Sequence, residues 1–426
     1  MLPVITDIIC SCHSCRKPKH HSMPVIIEKD VLIIGGGIAG LWILNRLAGQ
    51  SFDVLLLDKQ PLGSGQSIAS QGMIHGGIKY ALAGSLNAAS QAIADMPDHW
   101  SACLKGQGDV DLQGTRLLSE QYFMWPRNSL RSRFNAFLGS KALRGKVSSV
   151  DKDDYPAFFR NRIPGPLYQL KDIVLDVPSL LSCLSDKYRA QIKQINWQDC
   201  ILETTADGEI KQLRLKHQGE DYIIRARRYL ITSGDGAKAL LENIFPTPKL
   251  PETLQIQHRP LHMTIVKHTI RDPLYVHCVA DQLTATPEVT ITTHPCSDGR
   301  TAWYLGGELA ESGTQRSAAE QNQAAEKKLR ELFPWLDLGQ AEWHSFFINR
   351  AEAKTAGGKR PESASIHQHK NLLLCWPSKL TLAPNLGQQL VDHLQSEKII
   401  PGTNKSTSLE FLPFPGIALP PWEAAT

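Results

Sequence analysis

Residues 30–40 read Asp-Val-Leu-Ile-Ile-Gly-Gly-Gly-Ile-Ala-Gly, an apolar strand that runs directly into glycines and then into an apolar helix. The glycines have the spacing Gly35-x-Gly37-x-x-Gly40. Gly35 permits the tight turn, Gly37 lets the backbone approach a pyrophosphate, and Gly40 lets the helix pack closely on the sheet. Phosphates at the helix N-terminus would meet free N–H groups and a favourable dipole. The stretch therefore predicts a dinucleotide-binding turn.

A second apolar run, residues 52–58, ends in the acid Asp58. An acid at this position is suited to hydrogen-bond a ribose hydroxyl. Residues 24–60 therefore predict a β-α-β unit that binds a dinucleotide. The alternative, an ordinary buried β-α-β unit with a glycine-rich turn, leaves the acid at the strand end unexplained.

Length and composition limit the class of protein. A chain of 426 residues exceeds the usual size of one core, which predicts two interleaved domains. The net charge of +4 comes without a concentrated basic patch, so we expect no nucleic-acid partner. The most apolar run, residues 31–47, is interrupted by glycines and predicts no transmembrane helix. We expect a cytoplasmic protein and leave open a peripheral contact with the inner face of the membrane.

The N-terminal residues 1–22 are polar and rich in Cys and His, and we interpret them as a disordered leader. Cys10, Cys12 and Cys15 form a cluster whose spacing fits no closed four-ligand site, so we predict no metal centre and keep metal binding as the alternative. We expect a chain that begins at Met23 to keep its cofactor and its melting temperature. The other cysteines are scattered singly and are expected to be small buried hydrophobic residues.

The order of the elements predicts two discontinuous domains. Four alternating runs between residues 258 and 310 indicate an antiparallel sheet, whereas residues 371–376 and 385–394 return to a strand and a helix. Amphipathic helices are expected over 86–104 and 318–332. The predicted fold class is α/β (α+β overall), with a Rossmann-like β-α-β domain and a discontinuous antiparallel-sheet substrate domain. The first comprises residues 24–105, 166–250 and 345–400, the second comprises 106–165 and 251–344, and 401–426 form a C-terminal tail.

A glycine-rich loop at residues 67–80 follows the second strand. Its small polar donors and its glycines suit close contact with a flat ligand, and His75 lies in its middle. The glycine motif alone fits NAD or FAD, but a long loop at this place favours a flavin. A second turn, Ser233-Gly234-Asp-Gly, follows a predicted strand and is expected at the same sheet edge. The loop residues expected to contact the cofactor are Ser67, Ser70, Gln71 and Gly72.

The same loop resembles that of known flavoenzymes. Ala69 to Tyr80, followed by Ala-Gly-Ser-Leu, resembles the flavin loop of L-2-hydroxyglutarate oxidases, and its Ile-His-Gly-Gly core resembles flavin-linked glycerol-3-phosphate dehydrogenases. Ser378-Lys-Leu-Thr381 resembles the Gly-Lys-Leu-Thr stretch of the second group. Both groups belong to the D-amino-acid-oxidase-like (DAO) flavoproteins, so the resemblance implies FAD. Gln71 and Lys79 depart from the hydroxyglutarate pattern.

The resemblance also implies roles for individual residues. The residues Ser378, Lys379, Leu380 and Thr381 would place backbone N–H groups at the pyrimidine edge of the flavin, which gains negative charge on reduction. The alternative is an ordinary helix N-terminus with Thr381 as its cap.

Two residues are candidates for the chemistry itself. His75 is either a proton acceptor beside the flavin or a packed histidine that positions the ring. Arg350 follows the apolar run Phe346 to Ile348 and is expected to bind an anionic substrate group, because its charge is permanent and its fork is bidentate. The alternative for Arg350 is a salt bridge with Glu352 or another acid. Lys354 and Arg360 are weaker candidates for the anion.

Together these features predict an FAD-dependent oxidoreductase, either a dehydrogenase or an oxidase. Its substrate would be a small anion, namely a 2-hydroxy acid, an amino acid or a polyol phosphate, that gives hydride to flavin N5. Oxygen or a quinone would accept the electrons. The alternative function is a flavin-binding protein that serves RNA or protein modification, or a non-catalytic binding module. A closed pocket that contains Arg350 would favour the enzyme.

Overall fold

A computed structural model describes residues 23–77, 93–126, 147–245, 250–279, 286–402 and 409–424. Its strands, in chain order, are β1 (Val25–Ile34), β2 (Val54–Asp58), β3 (Met73–Ile74), β4 (Leu117–Ser119), β5 (Tyr122–Pro126), β6 (Val147–Ser149), β7 (Tyr168–Leu170), β8 (Ile173–Leu175), β9 (Ile192–Gln194), β10 (Cys200–Thr204), β11 (Ile210–His217), β12 (Glu220–Ile231), β13 (Ile256–His268), β14 (Val276–Val279), β15 (Val289–Pro295), β16 (Thr301–Gly306), β17 (Glu342–Ala353), β18 (Ser365–His369) and β19 (Leu372–Trp376). The helices are α1 (Ile38–Gly49), α2 (Met96–Leu104), α3 (Val177–Asp186), α4 (Ala237–Ile244), α5 (Glu308–Ser312), α6 (Ala318–Leu332), α7 (Ala383–Ser396) and α8 (Pro421–Ala424). The predicted β-α-β start, β1-α1-β2, is confirmed.

The first sheet has a parallel centre. β1 pairs in parallel with β2 on one side and with β12 on the other, while β9 extends the sheet beyond β2 and β19 pairs in parallel with the end of β12. The second half of β1 and most of β2 are buried, as continuous apolar runs in a covered parallel sheet should be. Because parallel strands end at the same edge, the segments that follow β1, β2, β12 and β19 meet there.

The second sheet is largely antiparallel, in the order β17-β13-β16-β15-β14-β5-β7-β6. The four runs predicted as strands between residues 258 and 310 form the centre of this sheet, as β13, β14, β15 and β16. A small third sheet has the order β3-β8-β4. The domain boundaries stay a prediction. β7 and most of β17 belong to the ranges predicted for the first domain, but both strands pair within the second sheet.

Local signals explain the clearest helices. α6 has the predicted bounds because Ser317 and Glu320 form a capping box at its start. The N-cap of α3 is Asp176, whose side chain accepts the Ser179 N–H. The helix predicted over 86–104 is present in its second part as α2. Residues 86–92 lie outside the described residues. α7 packs tightly on α1, because a Cβ on Gly387 would lie 2.8 Å from the Trp42 ring.

The cysteines of the described ranges are free thiols, and five of the six are buried: Cys103, Cys200, Cys278, Cys296 and Cys375. This confirms their expected role as small hydrophobic residues. The Cys/His-rich stretch of residues 1–22 lies outside the described residues, as does Lys79. Among the helices that the structure describes, we find none with both the length and the apolar character needed to cross a bilayer.

Candidate functional site

The three motif glycines lie in different surroundings. Gly35 has φ +118°, and a Cβ there would lie 2.6 Å from the backbone of Ser233, just after β12. A Cβ on Gly40 would lie 2.0 Å from the carbonyl oxygen of Gly35, so α1 packs directly on the turn. Gly37 is extended, and its Cβ would meet only the Ser67 hydroxyl, at 3.0 Å. Packing therefore requires Gly35 and Gly40, whereas Gly37 borders open space.

The start of α1 is fixed by two side chains. The Ser67 hydroxyl accepts the Ile38 N–H at 2.9 Å, which satisfies one of the free amides at the helix N-terminus. Asp58 accepts the N–H groups of Gly36 at 2.5 Å and Gln60 at 2.9 Å. Burial raises the pKa of Asp58, while these backbone hydrogen bonds act against the rise. Asp58 therefore shapes the turn and, as a carboxylate with several lone pairs, keeps acceptor capacity for a ribose.

A cavity of about 1110 Å³ extends from this turn to the antiparallel sheet. One end is bordered by the α1 turn and Asp58, and the other by Leu261, Met263 and Phe347. Such a long cavity fits a dinucleotide whose reactive ring lies against the second sheet. The predicted site residues that line it are Gly35, Gly37, Asp58, Ser67, Ser70, Gln71, Gly234, Arg350, Ser378, Lys379 and Leu380.

Four predicted site residues do not line this cavity: Gly40, Gly72, His75 and Thr381. For Gly72 the structure gives a different reason for the glycine. It has φ +69°, and a Cβ there would lie 2.1 Å from the carbonyl oxygen of Leu175 in β8. Packing between the loop and the third sheet therefore explains this glycine, and the expected cofactor contact at Gly72 stays a prediction.

The glycine-rich loop is attached to the antiparallel sheet. The Gln71 amide donates to the Tyr304 carbonyl oxygen at 2.8 Å and, at longer distances, to Thr290 and Thr292. In return the Tyr304 hydroxyl donates to the carbonyl oxygen of Ala69 at 2.7 Å. Gln71 therefore forms part of the cavity wall and also holds the loop in position.

Thr381 connects the loop with the entry to α7. Its hydroxyl accepts the His75 N–H and donates to the Met73 carbonyl oxygen, both at 3.3 Å, and its own carbonyl accepts the Trp100 indole N–H at 3.0 Å. The N-cap of α7 is Leu382, without a side-chain cap, so the alternative of Thr381 as the helix cap is wrong. The backbone of His75 is thus anchored, and the proton-acceptor role of its side chain stays a prediction.

Residues 377–380 follow β19 and reach the cavity at the edge where β1 and β12 end. Ser378 has φ +60°, an unusual conformation for a residue with a side chain, and its hydroxyl donates to the Ser363 carbonyl oxygen at 2.9 Å. Lys379 is largely buried beside it. The turn Leu380–Leu382 then leads into α7, so the segment before this helix borders the cavity. Contact of its backbone N–H groups with the flavin stays a prediction.

Arg350 lies on β17 opposite Arg259 on β13. Its Nε donates to the Arg259 carbonyl oxygen at 3.0 Å, and its acidic partner is Glu311, at 3.5 Å. Glu352 instead pairs with the Arg259 guanidinium. The salt-bridge alternative for Arg350 is therefore confirmed with another acid, Glu311, and not with Glu352. Burial, followed by repulsion from Arg259 and Arg360, lowers the pKa of Arg350 to about 10, which leaves it cationic at neutral pH.

Arg360 adds a second cation to the same wall of the cavity. Its Nε is buried without a hydrogen-bond partner, and among the described residues no carboxylate lies within ion-pair distance of its guanidinium. Arg360 is half-buried, and an anionic ligand could accept hydrogen bonds from its guanidinium. Arg350 and Arg360 therefore bring two cationic groups to the cavity.

Sequence reasoning missed Gln66. Its side-chain oxygen accepts the Ala351 N–H of β17 at 3.2 Å and lies 3.4 Å from where a Gly234 Cβ would be. Gln66 thus connects the loop after β2 with both the turn after β12 and the antiparallel sheet. A glutamine in a polar loop carries no pattern in the sequence that could identify this role.

A cluster of potential metal ligands forms where the sequence predicted none. The ligand atoms of His99, Cys103 and Asp109 lie within 4.8 Å of one another. His99 Nε2 lies 2.7 Å from Asp109, the Cys103 thiol donates to the same carboxylate, and the Arg46 guanidinium lies 3.2 Å from its other oxygen. A guanidinium on the carboxylate competes with a metal ion, so this cluster is better explained as a polar connection between α1, α2 and the loop at Asp109.

The His99 cluster predicts a pH dependence of stability. The hydrogen bond to Asp109 raises the pKa of His99 to about 10. Such a histidine stabilises the fold fully below its unfolded pKa of 6.5, and the contribution is lost as the pH rises through about 10. We expect the wild type to unfold at higher urea concentration than His99→Gln at pH 6.5, with a difference that shrinks toward pH 10. A constant difference over this range would contradict the assignment.

Comparison with known proteins agrees with this geometry. A family profile described as "FAD dependent oxidoreductase" (DAO) matches residues 30–392. The chain belongs to this DAO family. The probable FAD-dependent oxidoreductase PA4991 of Pseudomonas aeruginosa is 40% identical over 412 residues, which cover 95% of this chain and 100% of the relative. The crystal structure of PA4991 has a TM-score of 0.79 and 36% identity, covering 95% of this chain and 99% of that one.

A more distant DAO-like structure shows the shared fold. The FAD-bound L-alpha-glycerophosphate oxidase of Mycoplasma pneumoniae has a TM-score of 0.62 at 15% identity, covering 93% of this chain and 99% of that one. The present protein is therefore an FAD-dependent oxidoreductase of the DAO family, with the mixed α/β fold of that family.

The residues of this chain fit FAD. The open space at Gly37 accommodates a pyrophosphate close to the backbone, and the N-terminus of α1 faces the same region. Asp58 lies at the end of β2, where it can accept a ribose hydroxyl. Residues 377–380 border the same cavity. FAD in this position would supply the hydride acceptor of the oxidoreductase.

Proposed function

We propose that the protein oxidises a small anionic substrate, a 2-hydroxy acid, an amino acid or a polyol phosphate, by hydride transfer to flavin N5. The observation that carries the proposal is the placement of Arg350 and Arg360 on one wall of the cavity. Glu352 pairs with Arg259 and Glu311 pairs with Arg350. The positive charge of Arg360 therefore remains for a ligand. A carboxylate or phosphate supplies the matching charge and accepts hydrogen bonds from a guanidinium fork.

The wall beside the arginines is apolar. Leu261 and Met263 of β13, with Phe347 and Ile348 of β17, line this end of the cavity. Apolar side chains exclude water from a bound substrate, and a charge-assisted hydrogen bond is stronger where water is excluded. The arginines would therefore fix the anionic group while the apolar wall confines the carbon that gives up hydride.

The substrate must also release a proton from its hydroxyl or amine. Among the predicted site residues, His75 has the suitable chemistry, because an imidazole titrates near neutral pH. Its backbone is attached to Thr381, next to residues 377–380 at the cavity. We keep His75 as the proposed proton acceptor and oxygen or a quinone as the proposed electron acceptor.

Names of similar proteins agree with an anionic substrate class. The aerobic glycerol-3-phosphate dehydrogenase of Escherichia coli is 40% identical over 67 residues, 16% of this chain and 13% of that protein. The glycine oxidase of Geobacillus kaustophilus shares the fold, with a TM-score of 0.59 at 17% identity over 89% of this chain and 99% of that one. One name indicates a phosphate ester and the other an amino acid, and both compounds carry an anionic group that an arginine can bind.

The alternative of a flavin-binding module without metabolite chemistry predicts a pocket that lacks Arg350 or another cation. Both Arg350 and Arg360 line the cavity, which supports the enzyme. The test is anaerobic mixing of the purified protein with 2-hydroxy acids, amino acids and polyol phosphates, each paired with a neutral amide or alcohol of the same shape. We expect one anion to bleach the flavin absorbance and its neutral partner to fail. Equal bleaching by the neutral partner would contradict the proposal.

A further inference from the structure

The segment of residues 409–424, called the C-terminal segment below, crosses from the parallel sheet to the antiparallel sheet. Leu409 and Leu412 are buried in the core beside the parallel sheet, and the Pro413 carbonyl oxygen accepts the Gln194 N–H of β9 at 2.7 Å. At its other end, Trp422 of α8 is buried against the antiparallel sheet beside Met263. Although predicted as a tail, this segment is part of both cores.

Its first contact is with the beginning of residues 62–71, called the cavity-lining loop below. The N–H of Leu62 donates to the Gly416 carbonyl oxygen at 2.9 Å, and the N–H of Ala418 donates to the Leu62 carbonyl oxygen at 3.0 Å. Leu62 is fully buried, and a Cβ on Gly36 would lie 2.3 Å from its side chain. The segment thus holds the residue that packs directly under the dinucleotide turn.

Its second contact is with the end of the same loop, through two side chains of the antiparallel sheet. The Trp422 ring stacks on His294 at 3.9 Å, with 23° between the planes, and meets the Tyr304 ring edge-on at 6.0 Å. Burial lowers the pKa of His294 to about 3, so the ring is neutral and hydrogen-bonds the Thr292 hydroxyl at 2.9 Å. Thr292 in turn lies 3.4 Å from the Gln71 amide.

We propose that Trp422 is a positioning residue for the FAD cavity. It holds His294 and Tyr304, and these hold Gln71 and Ala69 at the end of the cavity-lining loop, while residues 416–418 hold Leu62 at its beginning. A loop held at both ends is ordered before FAD arrives. If the loop instead adopts other conformations, the apparent dissociation constant of FAD rises. The rise is inversely proportional to the fraction of molecules whose loop can bind FAD.

The test is a titration of the apoprotein with FAD, in which quenching of the flavin fluorescence measures binding. If the loop of Trp422→Ala is competent in about one molecule in ten, the dissociation constant rises about tenfold. Trp422→Phe keeps a ring on His294 and should recover most of the affinity. We also expect faster proteolysis within residues 62–71 of apo Trp422→Ala.

Phe333→Ala is the matched control. Phe333 is also fully buried against the antiparallel sheet, but it packs with Phe158 and Trp335, away from the loop. It should lower the melting temperature as Trp422→Ala does and leave the FAD dissociation constant unchanged. Equal FAD affinity of Trp422→Ala and the wild type would overturn the proposal.

If Trp422→Ala fails to fold, Tyr304→Phe provides the same test at the next residue. It removes only the hydroxyl that donates to Ala69, with the ring kept in place. A raised FAD dissociation constant at an unchanged melting temperature would support positioning of the loop, and an unchanged dissociation constant would contradict it.

Discussion

The Gly37→Leu variant should purify as a folded protein without FAD. Gly37 has φ −79° and ψ −173°, a conformation that any residue adopts, so the backbone itself does not require glycine there. Its Cβ would meet only the Ser67 hydroxyl, and a larger side chain would extend into the space that the pyrophosphate needs. We expect the ratio of flavin to protein absorbance to fall to background while the far-ultraviolet circular dichroism stays that of the wild type.

Two other glycines separate cofactor loss from misfolding. Gly49 ends the same helix at an exposed position, so Gly49→Leu should keep its FAD. Gly40→Ala places a Cβ 2.0 Å from the Gly35 carbonyl oxygen and should destabilise the fold itself by about 1–3 kcal/mol, as overpacking does. The assignment of Gly37 fails if its leucine variant retains stoichiometric FAD, or if the flavin released from the wild type is FMN.

Arg350→Ala should raise the KM of the substrate found in the anaerobic panel by about one and a half to three and a half decades, with FAD still bound. Truncation of one partner of a buried charge pair costs roughly 2–5 kcal/mol, partly because the other charge stays buried without a partner. Arg350→Lys should recover only part of the loss, since an ammonium cannot form the bidentate contact. Steady-state kinetics with each variant measures the effect.

The exposed arginine of α6 gives a matched control, because Arg330→Ala removes a guanidinium that pairs with Glu326 far from the cavity. Normal turnover by Arg350→Ala would place the anion site elsewhere. Arg360 would then be tested before Lys354, since Arg360 lines the cavity whereas the Lys354 ammonium donates to Gln255.

Sequence reasoning succeeded where one short pattern determines the structure. The β1-α1-β2 unit follows from a glycine spacing between apolar runs, and α6 follows from its capping box and its helical period. Arg350 was selected because a cation follows an apolar run, and it lines the cavity, while its role stays a prediction. These features depend on neighbours in the sequence, so a single chain is enough to predict them.

The features that were missed depend on residues distant in the sequence. β7 has three residues, too few for a period, and its sheet is decided by pairing with β5 and β6. The packing of Gly72 against Leu175 was missed because nothing near Gly72 in the sequence indicates that contact. The cap interpretation of Thr381 failed because its hydroxyl serves the loop at Met73 and His75 instead of the helix.

The central position of β1 also determines when the protein can finish folding. Thr232, just after β12, bonds to Ile34 across 198 positions, and His75 bonds to Thr381 across 306. During synthesis, β1-α1-β2 therefore leaves the ribosome with one side of β1 unpaired until β12 follows, and such an apolar edge is prone to aggregation. Contacts this distant along the chain also make folding slow. The lining of the FAD cavity, which extends from Ile34 to Leu380, is therefore complete only after most of the polypeptide has been made.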